Sequence, residues 1–77
     1  MIHFAKFENS KRLQDVHKIL EDGKPHSAFE IQEATDSMAV HTDISELRAN
    51  GFTINQFYGG RTEKGRLISI YQLESVL

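Results

Sequence analysis

The chain has 77 residues, 39% of them apolar, no cysteine, and a formal charge of -2. That length holds one compact domain around a modest core and leaves no room for a second domain or a large catalytic cleft. Without cysteine, disulfides and thiolate metal sites are excluded, so packing alone must hold the core.

The first residues, with His3 and Lys6 among Ile2, Phe4 and Phe7, are too short and too broken for the apolar stretch of a signal peptide. No run approaches the roughly 20 apolar residues that span a bilayer. A protein of the cytoplasm with no membrane partner is therefore expected. Ile2, Phe4 and Phe7 either add a strand, pack across the core or belong to a mobile terminus, in an extension over residues 1–9 that precedes a domain at 10–75.

The apolar spacing predicts a helix over residues 10–22, with Leu13, Val16, Ile19 and Leu20 on one stripe and Lys11, Asp15, Lys18 and Asp22 opposite. Asn9 or Ser10 is its N-cap, and Gly23 followed by Pro25 ends it. Ser27 and Glu30 form a capping-box pattern that opens a short second helix over 28–34, with Phe29 and Ile31 as core contacts. Thr35, Asp36 and Ser37 then favour a turn. A third helix is predicted over 38–50, stacking Val40, Ile44 and Leu47 along one narrow apolar line and stopping at Gly51.

After Gly51 the period changes from helical to alternating. Phe52, Ile54 and Gln56 point one way, Thr53, Asn55 and Phe57 the other. Gly59 and Gly60 break this strand, and Leu67, Ser69, Tyr71 and Leu73 form a second one with Ile68 and Ile70 interleaved. The tip, Arg61-Thr62-Glu63-Lys64, is polar, which makes the whole an exposed hairpin.

This order of elements is that of an α+β winged helix-turn-helix: a three-helix bundle followed by a β-hairpin wing. The stretch Ile44-Ser45-Glu46-Leu47-Arg48-Ala49-Asn50-Gly51-Phe52-Thr53-Ile54 closely resembles the I-S-E-L-R-x-x-G-[FY]-x-I signature of small helix-turn-helix domains found largely in bacteriophages and prophages. Tyr71-Gln72-Leu73 resembles the Y-x-L ending of that family's last strand. The resemblance implies binding of double-stranded DNA in a bacterial host cell, as a transcriptional regulator or a recombination or packaging accessory.

With Val40, Ile44 and Leu47 inward, Met38, Thr42, Ser45 and Ala49 point outward at about 100° per residue. Thr42 and Ser45 suit base edges or phosphates, and the small side chains let the helix approach closely. His41 and Arg48 share one flank. Arg48 is either a bidentate guanine contact or a cation placed at its helix's C-terminal end. Asp43 and Glu46 lie on the other flank, where they repel phosphate; they are expected to turn toward basic residues of the same domain or to meet a protein partner. Arg61, Lys64 and Arg66 on the hairpin tip either reach DNA backbone or minor groove, or keep a sheet edge charged. Ser27, at a helix N-terminus, serves as a phosphate clamp or as a plain cap, and Ser37 in the turn completes the contact set.

His3, His17, His26 and His41 lack the spacing of a zinc site, and His17 beside Leu13 and Leu20 reads as a partly buried structural histidine. No cofactor and no enzymatic constellation is expected. A single module of this kind buries about 600–1,000 Å² on DNA, so a homodimer or a larger nucleoprotein assembly is expected, with Phe57, Tyr58, Val76 and Leu77 serving an interface or the core. The rival reading is a winged helix that binds a host protein and no DNA, motivated by the net negative charge and the acidic flank.

Overall fold

The structure, a computed structural model, describes residues 6–74. Three helices, α1 (Lys11–Leu20), α2 (Ala28–Thr35) and α3 (Val40–Ala49), pack against an antiparallel sheet of β1 (His26–Ser27), β2 (Ile54–Arg61) and β3 (Leu67–Leu73), in the order β1-β3-β2. The chain is thus a small α+β domain. Ile2, Phe4, Val76 and Leu77 lie outside the described residues.

Local chemistry sets the helix ends. Ser10 Oγ accepts from the Leu13 N–H at 3.3 Å, and Ser27 Oγ accepts from the Glu30 N–H at 3.1 Å, so both hydroxyls cap as their positions predict. Gly23, at φ +75°, takes the left-handed turn after α1 and donates to Leu20 O at 3.1 Å. The Gly23 carbonyl then accepts from Gln72 Nε2 at 2.7 Å, which fastens this turn to β3. Asp36 closes α2 with φ +55°, a conformation its short polar side chain tolerates.

Leu13, Val16 and Leu20 of α1, Ile31 of α2, and Val40, Ile44 and Leu47 of α3 form the buried core with Ile54 of β2 and Tyr71 of β3. Phe29, expected in that core, is instead 57% exposed. An eight-residue helix with a single buried position has too weak a periodicity to decide which face turns inward, and packing on α1 selects Ile31. Phe7 lies in a 3-10 turn (Phe7–Asn9) and packs on His17 and Phe52, with ring centroids 5.2 and 4.9 Å away. His17 is half-buried in that aromatic group, the structural role its position predicts.

Two features of the sheet depart from the alternation argument. The two-residue β1 pairs His26 with Tyr71 and Ser27 with Ile70, making β3 the central strand. And β2 continues through Gly59-Gly60 to Arg61, with an irregular register between Tyr58 and Arg61. The glycines shape the strand without ending it. Gly60 has φ +126°, and a Cβ on Gly59 would sit 2.2 Å from Ile70 Cδ1, so the strand bends over Ile70 because no side chain is in the way.

His26 links the end of α1 to the start of α2. Its Nε2 meets the Asp22 carboxylate at 2.9 and 3.0 Å, and its Nδ1 meets the Glu30 carboxylate. The Glu30 carboxylate of the capping-box pattern is therefore taken by an imidazole. Both ring nitrogens face acceptors, so both carry protons in the best-bonded state. Burial opposes the charged ring, yet the hydrogen bonds and charges of Asp22 and Glu30 outweigh it, and the His26 pKa is raised above 6.5. The same contact, with a hydrogen bond from the Lys24 N–H, holds Asp22 below 3.8.

Gly59→Ala should cost about 1 kcal/mol by overpacking, and Ile70→Val, which removes the colliding Cδ1, should be less damaging in that background than alone; urea midpoints of the two singles and the double check this, and strict additivity would contradict it. His26 stabilises fully below 6.5 and loses its contribution as pH rises through its raised folded value, whereas Asp22 contributes above 3.8 and loses it as pH falls. The melting temperature should therefore fall as pH rises above 6.5 and through the raised His26 value, and His26→Gln should flatten that fall.

Candidate functional site

Val40, Ile44 and Leu47 of α3 are buried, while Thr42, Ser45 and Ala49 are exposed and Met38, just ahead of the helix, is 94% exposed. The outward face is thus the one the helical spacing predicts. Its acidic flank behaves differently from a surface feature. Asp43 is 1% exposed, Arg12 Nε lies 2.8 Å from Asp43 Oδ1, and the Arg12 guanidinium also pairs with the Glu46 carboxylate. One cation of α1 therefore pairs with both carboxylates of α3, and the basic partner expected for them lies within the domain. A buried carboxylate needs such partners, because its desolvation is costly if it stays charged alone.

The second oxygen of Asp43 accepts from Ser37 Oγ, which itself accepts from the Ala39 N–H at 3.3 Å. Ser37 is buried. Its place among the expected contacts is corrected accordingly: the hydroxyl is turned into the domain to satisfy Asp43 and is withdrawn from the surface.

Two of the expected cations brace the backbone. Arg48 donates from Nε at 3.1 Å and from Nη2 at 2.6 Å to Ile54 O, joining the end of α3 to the start of β2. Arg61 Nη1 donates to Gly65 O at 2.7 Å, and Thr62 N–H donates to Arg66 O at 2.8 Å, which closes the hairpin loop on itself. Lys64 and Arg66 are exposed and make no ion pair among the described residues.

Between the N-terminal ends of α2 and α3 and the hairpin loop lies a groove of about 310 Å³. Its polar lining is Gln32, His41, Thr62, Arg66 and Ser69; its apolar walls include Phe29, Met38 and Leu67. Among the described residues no carboxylate lines it. Lys64 joins Phe29, Thr62 and Arg66 in the adjoining recess, where Glu63 is the one acid among the described residues. The structure thus brings His41, Met38, Lys64 and Arg66 together, close to the Ser27 cap that precedes Ala28, and leaves Ser37, Arg48 and Arg61 with structural partners.

Comparison with family models, curated proteins and solved structures finds no match. Among the described residues no three His, Cys, Asp or Glu side chains gather to hold a metal, and no helix is long and apolar enough to cross a membrane.

Phe29, Thr62, Leu67, Ser69 and Tyr71 belong to the groove or its support without having been singled out for it. The alternation of β3 already put Leu67, Ser69 and Tyr71 on one face, which was the available signal; that this face meets α3 depends on three-dimensional packing.

Removing Arg12 should expose the dependence of α3 on it. Arg12→Met should cost about 2 kcal/mol, less than the roughly 3–5 of a fully buried pair because the arginine is half-exposed. Adding Asp43→Asn should recover part of that loss in urea unfolding, since the buried group is then neutral; a further loss would mean that the carboxylate has another compensating cation.

Proposed function

We propose that the chain is a winged helix that binds double-stranded DNA, laying α3 in the major groove and the β2–β3 loop, as the wing, against the sugar-phosphate backbone. The observation that carries this reading is the carboxylate-free groove between α3 and the loop, with His41, Arg66, Thr62 and Ser69 on it, set against the withdrawal of Asp43 and Glu46 to Arg12. The anionic side chains of the helix are drawn to Arg12 behind it, and the donors are left in front. Thr42 and Ser45 are the small polar residues that meet base edges, and Met38 and Phe29 supply apolar contact for thymine methyl groups or sugars.

The resemblance to small phage and prophage domains supports a role as a transcriptional regulator or an accessory in DNA transactions. Among the described residues only two cations without an ion pair, Lys64 and Arg66, flank the groove, so the module works as a homodimer or within a nucleoprotein assembly, where the contacts add. A second reading, capture of a host protein, rests on the exposed side chains of Phe29, Met38 and Leu67, which make an apolar rim around the same groove.

Selection from a pool of random duplexes at moderate salt, with wild type beside Lys64→Glu/Arg66→Glu, tests the two readings. Enrichment of a motif by wild type alone is expected, together with a salt dependence whose slope the variant lowers by about one unit for each phosphate it no longer neutralises. Equal retention of both proteins without enrichment would reject DNA binding and favour the protein partner.

A further inference from the structure

Tyr71 sits on the central strand between His26 and Gln56 and is 1% exposed. Its hydroxyl leaves the core in one direction, toward Nδ1 of His41 on α3. The two rings stand edge to face, with centroids 5.8 Å apart and planes at 73°. His41 is otherwise exposed and lines the groove beside Arg66. The imidazole is thus held from behind through one nitrogen, and the geometry of the ring directs the other, Nε2, away from Tyr71.

The proton arrangement follows from the burial of the phenol. Burial raises the Tyr71 pKa against the weaker, opposing hydrogen bond from the Ser69 hydroxyl and charge of Arg48, so the phenol stays protonated, accepts from Ser69 and donates its own proton elsewhere. A buried O–H needs an acceptor, and Nδ1 is that acceptor only when its lone pair is free. The imidazole proton then resides on Nε2. The side chains lining the groove can consequently donate, through the His41 Nε2–H, the Arg66 guanidinium, the Gln32 amide and the Thr62 hydroxyl, and no carboxylate is among them.

We infer that Tyr71 is a positioning residue that fixes His41 as the Nε2–H tautomer and aims this donor at a backbone phosphodiester seated in the groove beside Arg66. This rests on the DNA-binding reading for its ligand, but the tautomer does not depend on it. The groove lies between the helix placed in the major groove and the wing placed on the backbone, which is where a strand's phosphates cross.

Long-range proton–nitrogen correlation spectra of the ¹⁵N-labelled protein test this, with His41→Ala for assignment. In its neutral-imidazole form the wild type should show His41 protonated on Nε2 alone, and Tyr71→Phe should give a mixture of tautomers. Protonation of Nδ1 in that form of the wild type, or an unchanged tautomer in Tyr71→Phe, overturns the inference; the wild-type spectrum decides it even if the phenylalanine variant fails to fold. Titration with a random-sequence duplex should move the Nε2 resonances. Tyr71→Phe should weaken duplex affinity about twofold to tenfold, the range of one hydrogen bond, and should add nothing in the His41→Ala background. Additive losses would make Tyr71 merely structural and overturn the positioning role. A response to inorganic phosphate at matched ionic strength with none to the duplex overturns the assignment to the DNA backbone. If no duplex binds, the DNA reading and the phosphodiester fail together, while the tautomer spectra still decide what Tyr71 does.

Discussion

The buried carboxylate of Asp43 constrains most of what this domain can present. A charged group so fully enclosed has to be met on every side, and it is met by Arg12 from α1 and by Ser37 from the turn before α3. Those partners tie three segments to one point. Because Arg12 also takes Glu46, the inner edge of α3 is closed electrostatically, and the rotation of the helix about its axis is set by charge as well as by Val40, Ile44 and Leu47. Apolar packing along so narrow a line would permit some rolling; the ion pair selects one orientation.

That orientation matters because the groove is formed between elements that are far apart in sequence. Arg48 fastens the end of α3 to Ile54, Tyr71 fastens its beginning through His41, and the bend at Gly59-Gly60 carries β2 over Ile70 into the hairpin loop. Arg61 then holds the loop by bonding Gly65. Two cations are consumed in this bracing, so the surface has fewer charges than the sequence offers, in a more defined place. A site held by backbone bonds at both ends keeps its donors near one geometry and loses less conformational entropy on binding.

Much of the fold was legible because its signals are local. Ser10 and Ser27 cap helices through bonds to residues three positions away, Gly23 turns the chain at a positive φ that favours glycine, and the core positions of α1 and α3 repeat at helical spacing. Where the deciding interaction is distant, local signals mislead. Phe29 and Ile31 are equally apolar, and only the neighbouring helix decides that Ile31 is buried and Phe29 exposed. Gly59-Gly60 carries the composition of a strand end, but its role depends on Ile70 across the sheet. The β1 segment is two residues long, below the length at which alternation means anything. In the candidate site the outward residues of α3 followed from the helix wheel; the fates of Ser37, Arg48 and Arg61 did not, because each depends on one partner reached through the fold.

The net charge of -2 and a groove without carboxylates are reconciled by where the carboxylates sit. Asp43 and Glu46 answer Arg12, Asp22 and Glu30 answer His26, and Asp15 answers Lys11, so five of the acids are engaged within the domain. The charge that remains at the groove is small and close-ranged. Such a surface draws a polyanion weakly from a distance, since long-range steering follows the summed field, and must rely on contacts made at hydrogen-bond range. A domain built this way gains little from indiscriminate attraction to nucleic acid. On the DNA-binding reading proposed above, discrimination would lie in how well a few fixed donors fit, which is why the orientation of one imidazole would carry weight here that it would not on a strongly basic face.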